Sequence, residues 1–306
     1  MARYKVVDTS TREQWLEARQ KVLTATEIAA IHVGGPGEPA RIRESKKHPP
    51  EEIHSKYFAW GHKREPNINN YVKALVDSRL EPNDKLLIST LDPCIGATPD
   101  QLGDGVIGED KTSKRPMPDM SPGLNLEDSQ ALRYYLQMQV QLLVTGAEMC
   151  VFTWEQHDDD WQDRGGEYLE PQPIKIDHQL VYPDRKAWSV IDGIVTKYFD
   201  QEDTIDEVRQ AIISDKLDEL RSIREQQDDL KQQESKLLDS IKEQLGNDDA
   251  SLKLPGASVS YFLPKASSRF DTAAFKKAHP DLAGQFIKKS APKGRTLRIT
   301  FKEEDV

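Results

Sequence analysis

Residues 96–115, GATPDQLGDGVIGEDKTSKR, hold an acid, Asp100, then a second acid, Glu109, with Lys111 two positions beyond it. The segment 106–111 reads as a short strand entered through Gly103, Gly105 and Gly108. Side chains two apart on a strand project to one face, so Glu109 and Lys111 point into one site. A turn at Gly103 and Gly105 folds the chain back and brings Asp100, on the neighbouring strand, to Glu109. Two carboxylates beside a lysine suit a hard divalent cation, with the ammonium near a water or a phosphate. The same acid-x-Lys spacing also occurs on solvated strands, and spacing alone leaves both readings open.

These residues need elements to hold them. Residues 85–90 and 95–98 read as strands leading into the acids, and 117–123 as a proline-bearing loop. Residues 127–144 form a helix with Leu132, Leu136, Val140, Leu142 and Leu143 as its apolar positions. Residues 149–154 read as a buried strand, with further strand material at 174–176 and 180–182. A helix over 184–199 closes this part, with Trp188, Ile191, Ile194, Val195 and Tyr198 at helical spacing. His157-Asp158-Asp159-Asp160 reads as an acidic loop between hairpin strands in preference to a metal site.

Upstream, 9–31 reads as one helix capped by Thr9, Ser10 or Thr11, with Glu13 closing a capping box; Thr24 or Thr26 is placed to cap a second helix. Residues 32–50 form a flexible basic loop, either approaching phosphates or serving as a solvated linker. Residues 53–77 read as a helix that Pro66 breaks or kinks. Downstream, 203–245 is a long amphipathic helix, helix pair or coiled coil, with its seam interrupted near 226–229. In the last stretch, 258–262 and 296–301 alternate like two strands around a helix beginning at Asp271. This part is basic (Lys276, Lys277, Lys288, Lys289, Lys293, Arg295, Arg298), which fits either DNA contact or a solvated face. The division expected is 1–200, 201–250 and 251–306.

The chain has 306 residues, 31% charged and 37% hydrophobic, and no run near the roughly 18 apolar residues of a membrane span. The N-terminus lacks a signal-peptide pattern, and Cys94 and Cys150 are too few for a disulfide framework, so a cytoplasmic setting is expected. A formal charge of −10 argues mildly against wholesale nucleic-acid binding, yet a protein that grips a few phosphates needs only local Lys and Arg.

Several motifs stand together: Trp15 and Arg19, Thr24-Ala25-Thr26-Glu27, Trp60-Gly61 with Glu65, Thr98-Pro99-Asp100, Glu109-x-Lys111, and Gln137 in Tyr135-Leu136-Gln137-Met138-Gln139. The chain thereby resembles the lambda exonuclease and YqaJ-like viral recombinase family of PD-(D/E)xK nucleases, over roughly 10–200 and more weakly 205–301. The resemblance implies an α/β fold, a mixed central sheet flanked by helices. It implies Mg²⁺, with Mn²⁺ as a substitute, held by Asp100 and Glu109 and the Asp110 backbone carbonyl, with Glu65 assisting from a helix. Lys111 then orients or helps deprotonate the attacking water, and Gln137 faces the site. Arg19, Thr26 and Thr98 would hold a 5′-phosphate, Arg115 being the nearest candidate for a second arginine. The implied activity is 5′→3′ digestion of linear duplex DNA, leaving a 3′ single-stranded tail for a single-strand annealing protein. A toroidal trimer and a phage or prophage protein in a bacterial cytoplasm complete the expectation. One departure is Asp110, at a position that the family fills with an apolar residue. A related endonuclease, an end-trimming nuclease and a catalytically inactive DNA-binding assembly protein are the alternatives; two cysteines are too few for an iron–sulfur trimming enzyme.

Overall fold

The computed structural model describes residues 3–7, 11–47, 55–166, 169–200, 205–246, 249–254, 257–263 and 270–285. It divides into two compact units, Met1–Leu217 with Glu303–Val306, and Asp218–Lys302. Among the described residues no helix is long and apolar enough to cross a membrane.

The first unit is mixed α/β, as expected. Its larger sheet has the order β3 (Glu81–Pro82), β6 (Gln101–Gly103), β7 (Val106–Ser113), β8 (Met149–His157), β9 (Pro173–Val181). β6 and β7 are antiparallel, β7 and β8 parallel, β8 and β9 antiparallel. The β6–β7 turn passes through Gly105 at φ +71°, a left-handed conformation that favours glycine. Helix α5 (Ser129–Thr145) makes the parallel crossover from β7 to β8. It packs Leu136, Met138 and Leu142 against Ile107, Cys150 and Phe152 on one face of the sheet. On the other face, α4 (Lys56–Leu75) packs Ile68 and Val72 against Val106 and Val151. The two-residue period of β7 therefore sends Ile107, Glu109 and Lys111 towards α5, and Val106, Gly108 and Asp110 towards α4.

A smaller sheet has the order β1 (Tyr4–Val6), β4 (Leu87–Ser89), β5 (Ile95–Ala97), β2 (Leu23–Thr24). The stretch expected as one helix over 9–31 is divided by β2 into α1 (Arg12–Gln20) and α2 (Ala25–Val33). The cause is non-local: Leu23 and Thr24 pair in parallel with Ile95 and Gly96, and both are buried. Thr11 caps α1, and Gln14, not Glu13, closes the capping box. Thr24, not Thr26, caps α2 in a second capping box with Glu27. Thr9 and Ser10 lie outside the described residues.

The basic loop expected at 32–50 contains a helix, α3 (Glu38–Lys47). It buries Ala40 and Ile42, and the Arg43 guanidinium donates to the Tyr198 carbonyl at 2.6 Å. Pro66 neither breaks nor ends α4: twenty residues stay helical, because proline's fixed φ fits a helix and burial of Ile68 and Val72 beyond it offsets the lost hydrogen bond. Strand material at 174–176 and 180–182 is one strand, β9, and α6 (Arg185–Asp200) follows as expected.

Helix α7 (Ile205–Leu245) begins in the first unit and ends in the second, one helix of 41 residues. The second unit adds a hairpin, β10 (Ala250–Leu254) with β11 (Ala257–Tyr261), and helices α8 (Thr272–Ala278) and α9 (Pro280–Gln285). The partner of β11 is thus the preceding segment; the strand expected at 296–301, with Phe286, Ile287 and the basic residues from Lys288 onward, lies outside the described residues.

Candidate active site

Glu109 sits mid-sheet on β7, fully buried. Both its oxygens are engaged: Oε1 accepts from Gln137 Nε2 at 2.5 Å and pairs with the Lys111 ammonium, and Oε2 accepts from Gln141 Nε2 at 2.6 Å. Gln137 and Gln141 are one turn apart on α5 and present a pair of amides to the strand. Gln139 faces elsewhere, donating to the Tyr182 carbonyl and accepting from the Asp184 amide. Lys111 lies 5.4 Å from the Tyr134 ring centroid. Burial opposes the charge on its ammonium, but Glu109 and Asp100 outweigh that and raise its pKa.

Asp100, immediately before β6, accepts the Asp110 backbone N–H on Oδ2 at 2.7 Å. Burial, then the charge of Glu109, holds its carboxyl well above the usual carboxylate range. Asp110 is pushed up to about 6, chiefly by burial. Its Oδ2 accepts from Gln101 Nε2 at 2.7 Å. Asp100, Asp110, Glu65, Asn69 and Asp84 line a cavity of about 310 Å³. Glu65 enters it from α4, with a half-exposed side chain whose Oε1 is 2.8 Å from His62 Nδ1. Its neighbour Arg64 turns to the sheet instead, making two 2.7 Å bonds to the fully buried Glu155.

The expected centre is therefore brought together: Asp100, Glu109, Lys111 and Gln137 around the β6–β7 hairpin, with Glu65 on the cavity that Asp100 lines. Asp110, unusual in sequence, faces that same cavity from the opposite side of β7 to Glu109. Three carboxyl groups, Asp100, Glu109 and Asp110, stand close to one ammonium, Lys111, and a divalent cation would favour the ionised forms of Asp100 and Asp110 that burial disfavours. Among the described residues no three His, Cys, Asp or Glu side chains are grouped closely enough to hold a metal ion as they stand. Glu109 Oε1 would have to exchange Lys111 or Gln137 for the cation.

Of the residues expected at a DNA end, Arg19 is on α1, Thr26 is in the first turn of α2 and Thr98 directly follows β5, beside the smaller sheet. The parallel pairing of Thr24 with Gly96 puts Thr26 and Thr98, each two residues further on, at the same end of β2 and β5. Thr26 is exposed in the first turn of α2, and Arg19 Nη2 is 3.9 Å from Glu27 in that turn. Arg115 is anchored elsewhere: its carbonyl accepts from Trp154 Nε1, and its guanidinium is 3.8 Å from Asp128, the N-cap of α5. His157 is buried between Trp60 and Trp161 and accepts the Asp159 N–H. Gln141 escaped the sequence reading, although its spacing from Gln137 was the signal.

Residues 14–148 match the model of the YqaJ-like viral recombinase domain. Among curated proteins nothing matches. Among solved structures, the chain is similar to an alkaline exonuclease from Laribacter hongkongensis, at 19% identity and a TM-score of 0.44, covering 68% of this chain and 99% of that one. The same exonuclease in complex with dAMP gives the same identity and score, at 69% and 100% coverage. A phage-related exonuclease from Haemophilus somnus 129PT is similar at 14% identity and a TM-score of 0.42, over 57% of this chain and 92% of that one.

Proposed function

We propose, from the YqaJ-like viral recombinase domain that residues 14–148 carry, that this protein is a DNA exonuclease of the phage recombination type. The observation that supports it most is the meeting of Asp100, Glu109 and Lys111 around one hairpin. Asp100, Glu109 and the Asp110 carbonyl are the ligands proposed for Mg²⁺ or Mn²⁺, with Glu65 assisting across the cavity. When bound, a divalent cation there supplies an acidified water and neutralises charge on the phosphate.

The chain's own residues do the rest. Gln137 and Gln141 fix the plane of the Glu109 carboxylate. Lys111 is proposed to orient or help deprotonate the attacking water and to offset charge on the phosphate. Arg19, Thr26 and Thr98 are proposed to hold a terminal 5′-phosphate, a charge-assisted contact that discriminates one end from another. On this reading the substrate is linear duplex DNA, digested 5′→3′, with the 3′ tail passed to a single-strand annealing protein. The chain works as a homo-oligomer, the toroidal trimer, with residues 1–200 as nuclease, 201–250 as helical segment and 251–306 as a basic module.

Purified protein incubated with linear and circular duplexes, with and without Mg²⁺, tests this. The expected result is Mg²⁺-dependent loss of linear DNA alone, faster from 5′-phosphorylated than from 5′-hydroxyl ends. Cutting of circular DNA at a comparable rate would make the protein an endonuclease instead.

A further inference from the structure

The C-terminal part of α7 is helical although little covers it. Every residue from 231 to 244 is exposed, Leu237, Leu238 and Ile241 included. Leu230 is 63% exposed and Leu237 67%. Helices in proteins are held chiefly by packing of an apolar face, so this stripe calls for a partner. Its spacing says what shape of partner. Leu220, Ile223, Leu230, Leu237 and Ile241 fall on the two inward positions, a and d, of a seven-residue repeat, which fits another α-helix wound around this one. Gln227 and Glu234 are the remaining a positions, and Gln227 is what interrupts the seam near 226–229.

The polar positions identify that helix. In a parallel pair in register, a faces a, so Gln227 meets its own counterpart, and an amide, being donor and acceptor at once, satisfies its own kind. The edge preceding a carries Glu219 and Gln226 and no cation; the edge following d carries Arg224 and Lys231 and no anion. Parallel pairing sets these two edges against each other, so unlike or neutral groups meet. Glu219 and Arg224 also have contacts in their own chain, so the match rests on the sign of each edge and not on a free group. An antiparallel pair would bring Arg224 near Lys231 and set Gln227 against an aliphatic residue, leaving a buried amide unpaired. We propose that residues 218–245 are a homotypic docking surface, and that its occupant is the same helix of a second copy of this chain, parallel and in register. Glu234, which would meet its own counterpart, is the one seam position of like charge, and it keeps the association reversible. The inference is independent of the nuclease reading.

The test uses the full chain with one cysteine added at a time. Gln244 is at a d position and Gln232 points away from the seam, and both are exposed. Under mild oxidation Gln244→Cys should link at least about half of the chains into disulfide pairs, because only parallel pairing in register brings this position to its counterpart. Gln232→Cys should link no more than wild type, whose Cys94 and Cys150 set the background. Glu234→Leu should lower the concentration at which the chain associates in sedimentation by at least about tenfold, since it removes the like charges and adds apolar contact. Linking of Gln244→Cys at the wild-type level overturns the proposal, as does equal linking of both variants, which is random collision. Association unmoved by Glu234→Leu overturns the assigned seam.

Discussion

Glu109 is a buried carboxylate whose four neighbours, Lys111, Gln137, Gln141 and Asp100, set its geometry and its charge. Gln141→Leu leaves Oε2 without a donor inside the fold, so it should destabilise the protein by about 1–3 kcal/mol. Calorimetric titration should also show weaker Mg²⁺ binding by that variant than by wild type. Acidity gives a second prediction. Asp110 has a folded pKa of about 6, against about 3.9 for a free aspartate, and Asp100 is displaced in the same direction. At these two groups the folded state then binds more protons, so without metal they contribute stability that is fully present at low pH and is lost as pH rises from about 4 through about 6 and, for Asp100, beyond. A divalent cation competes for the ionised forms, so the rise in Tm on adding Mg²⁺ should be larger at pH 8 than at pH 5 in paired thermal melts. A Tm gain that does not change with pH would remove Asp100 from the metal site. At this scale the sequence was informative wherever a period decided the outcome. Glu109 and Lys111 share a face because strands repeat every two residues. Gln141 was not singled out, because composition does not give the rotation of α5 about its axis; burial of Leu136, Val140 and Leu142 sets it.

Elements that rest on local signals were legible, and those that rest on distant partners were not. β7, α5, α6 and α7 follow from alternation or helical periodicity. α3 has the composition of a loop and is helical because Ala40 and Ile42 find a core and Arg43 finds Tyr198, over a hundred residues away. β2 exists because β5 is beside it, and no local feature of Leu23 and Thr24 announces that. α4 is tied to β8 by the Arg64–Glu155 pair, with Arg64 over the Trp60 ring at 5.4 Å. This pair holds the helix that brings Glu65 to the cavity. Arg64→Met would leave Glu155 charged and alone in the interior, a change expected to cost about 3–5 kcal/mol. Urea unfolding would read it directly as a lower midpoint. An unchanged midpoint would mean that the pair does not anchor α4.

For the molecule as a whole, a formal charge of −10 and the DNA substrate proposed for it are reconciled by locality. Lys111 stands among the acids, and Arg19 and Lys46 stand beside α2, where the proposed reading needs positive charge. The domain whose family model covers residues 14–148 contains every side chain proposed for the chemistry. The claim that this cluster is a metal-dependent DNA-hydrolysing centre is tested most directly by digestion of a labelled linear duplex in Mg²⁺, comparing wild type with Asp100→Ala and Glu109→Ala, alongside a binding assay on the same duplex. Each substitution removes one proposed ligand and little of the DNA-binding surface. Both variants are expected to bind DNA about as well as wild type and to lose at least about 10³-fold in rate, on the order of 4 kcal/mol of transition-state stabilisation. Near-normal digestion by either variant would contradict the assignment of the centre.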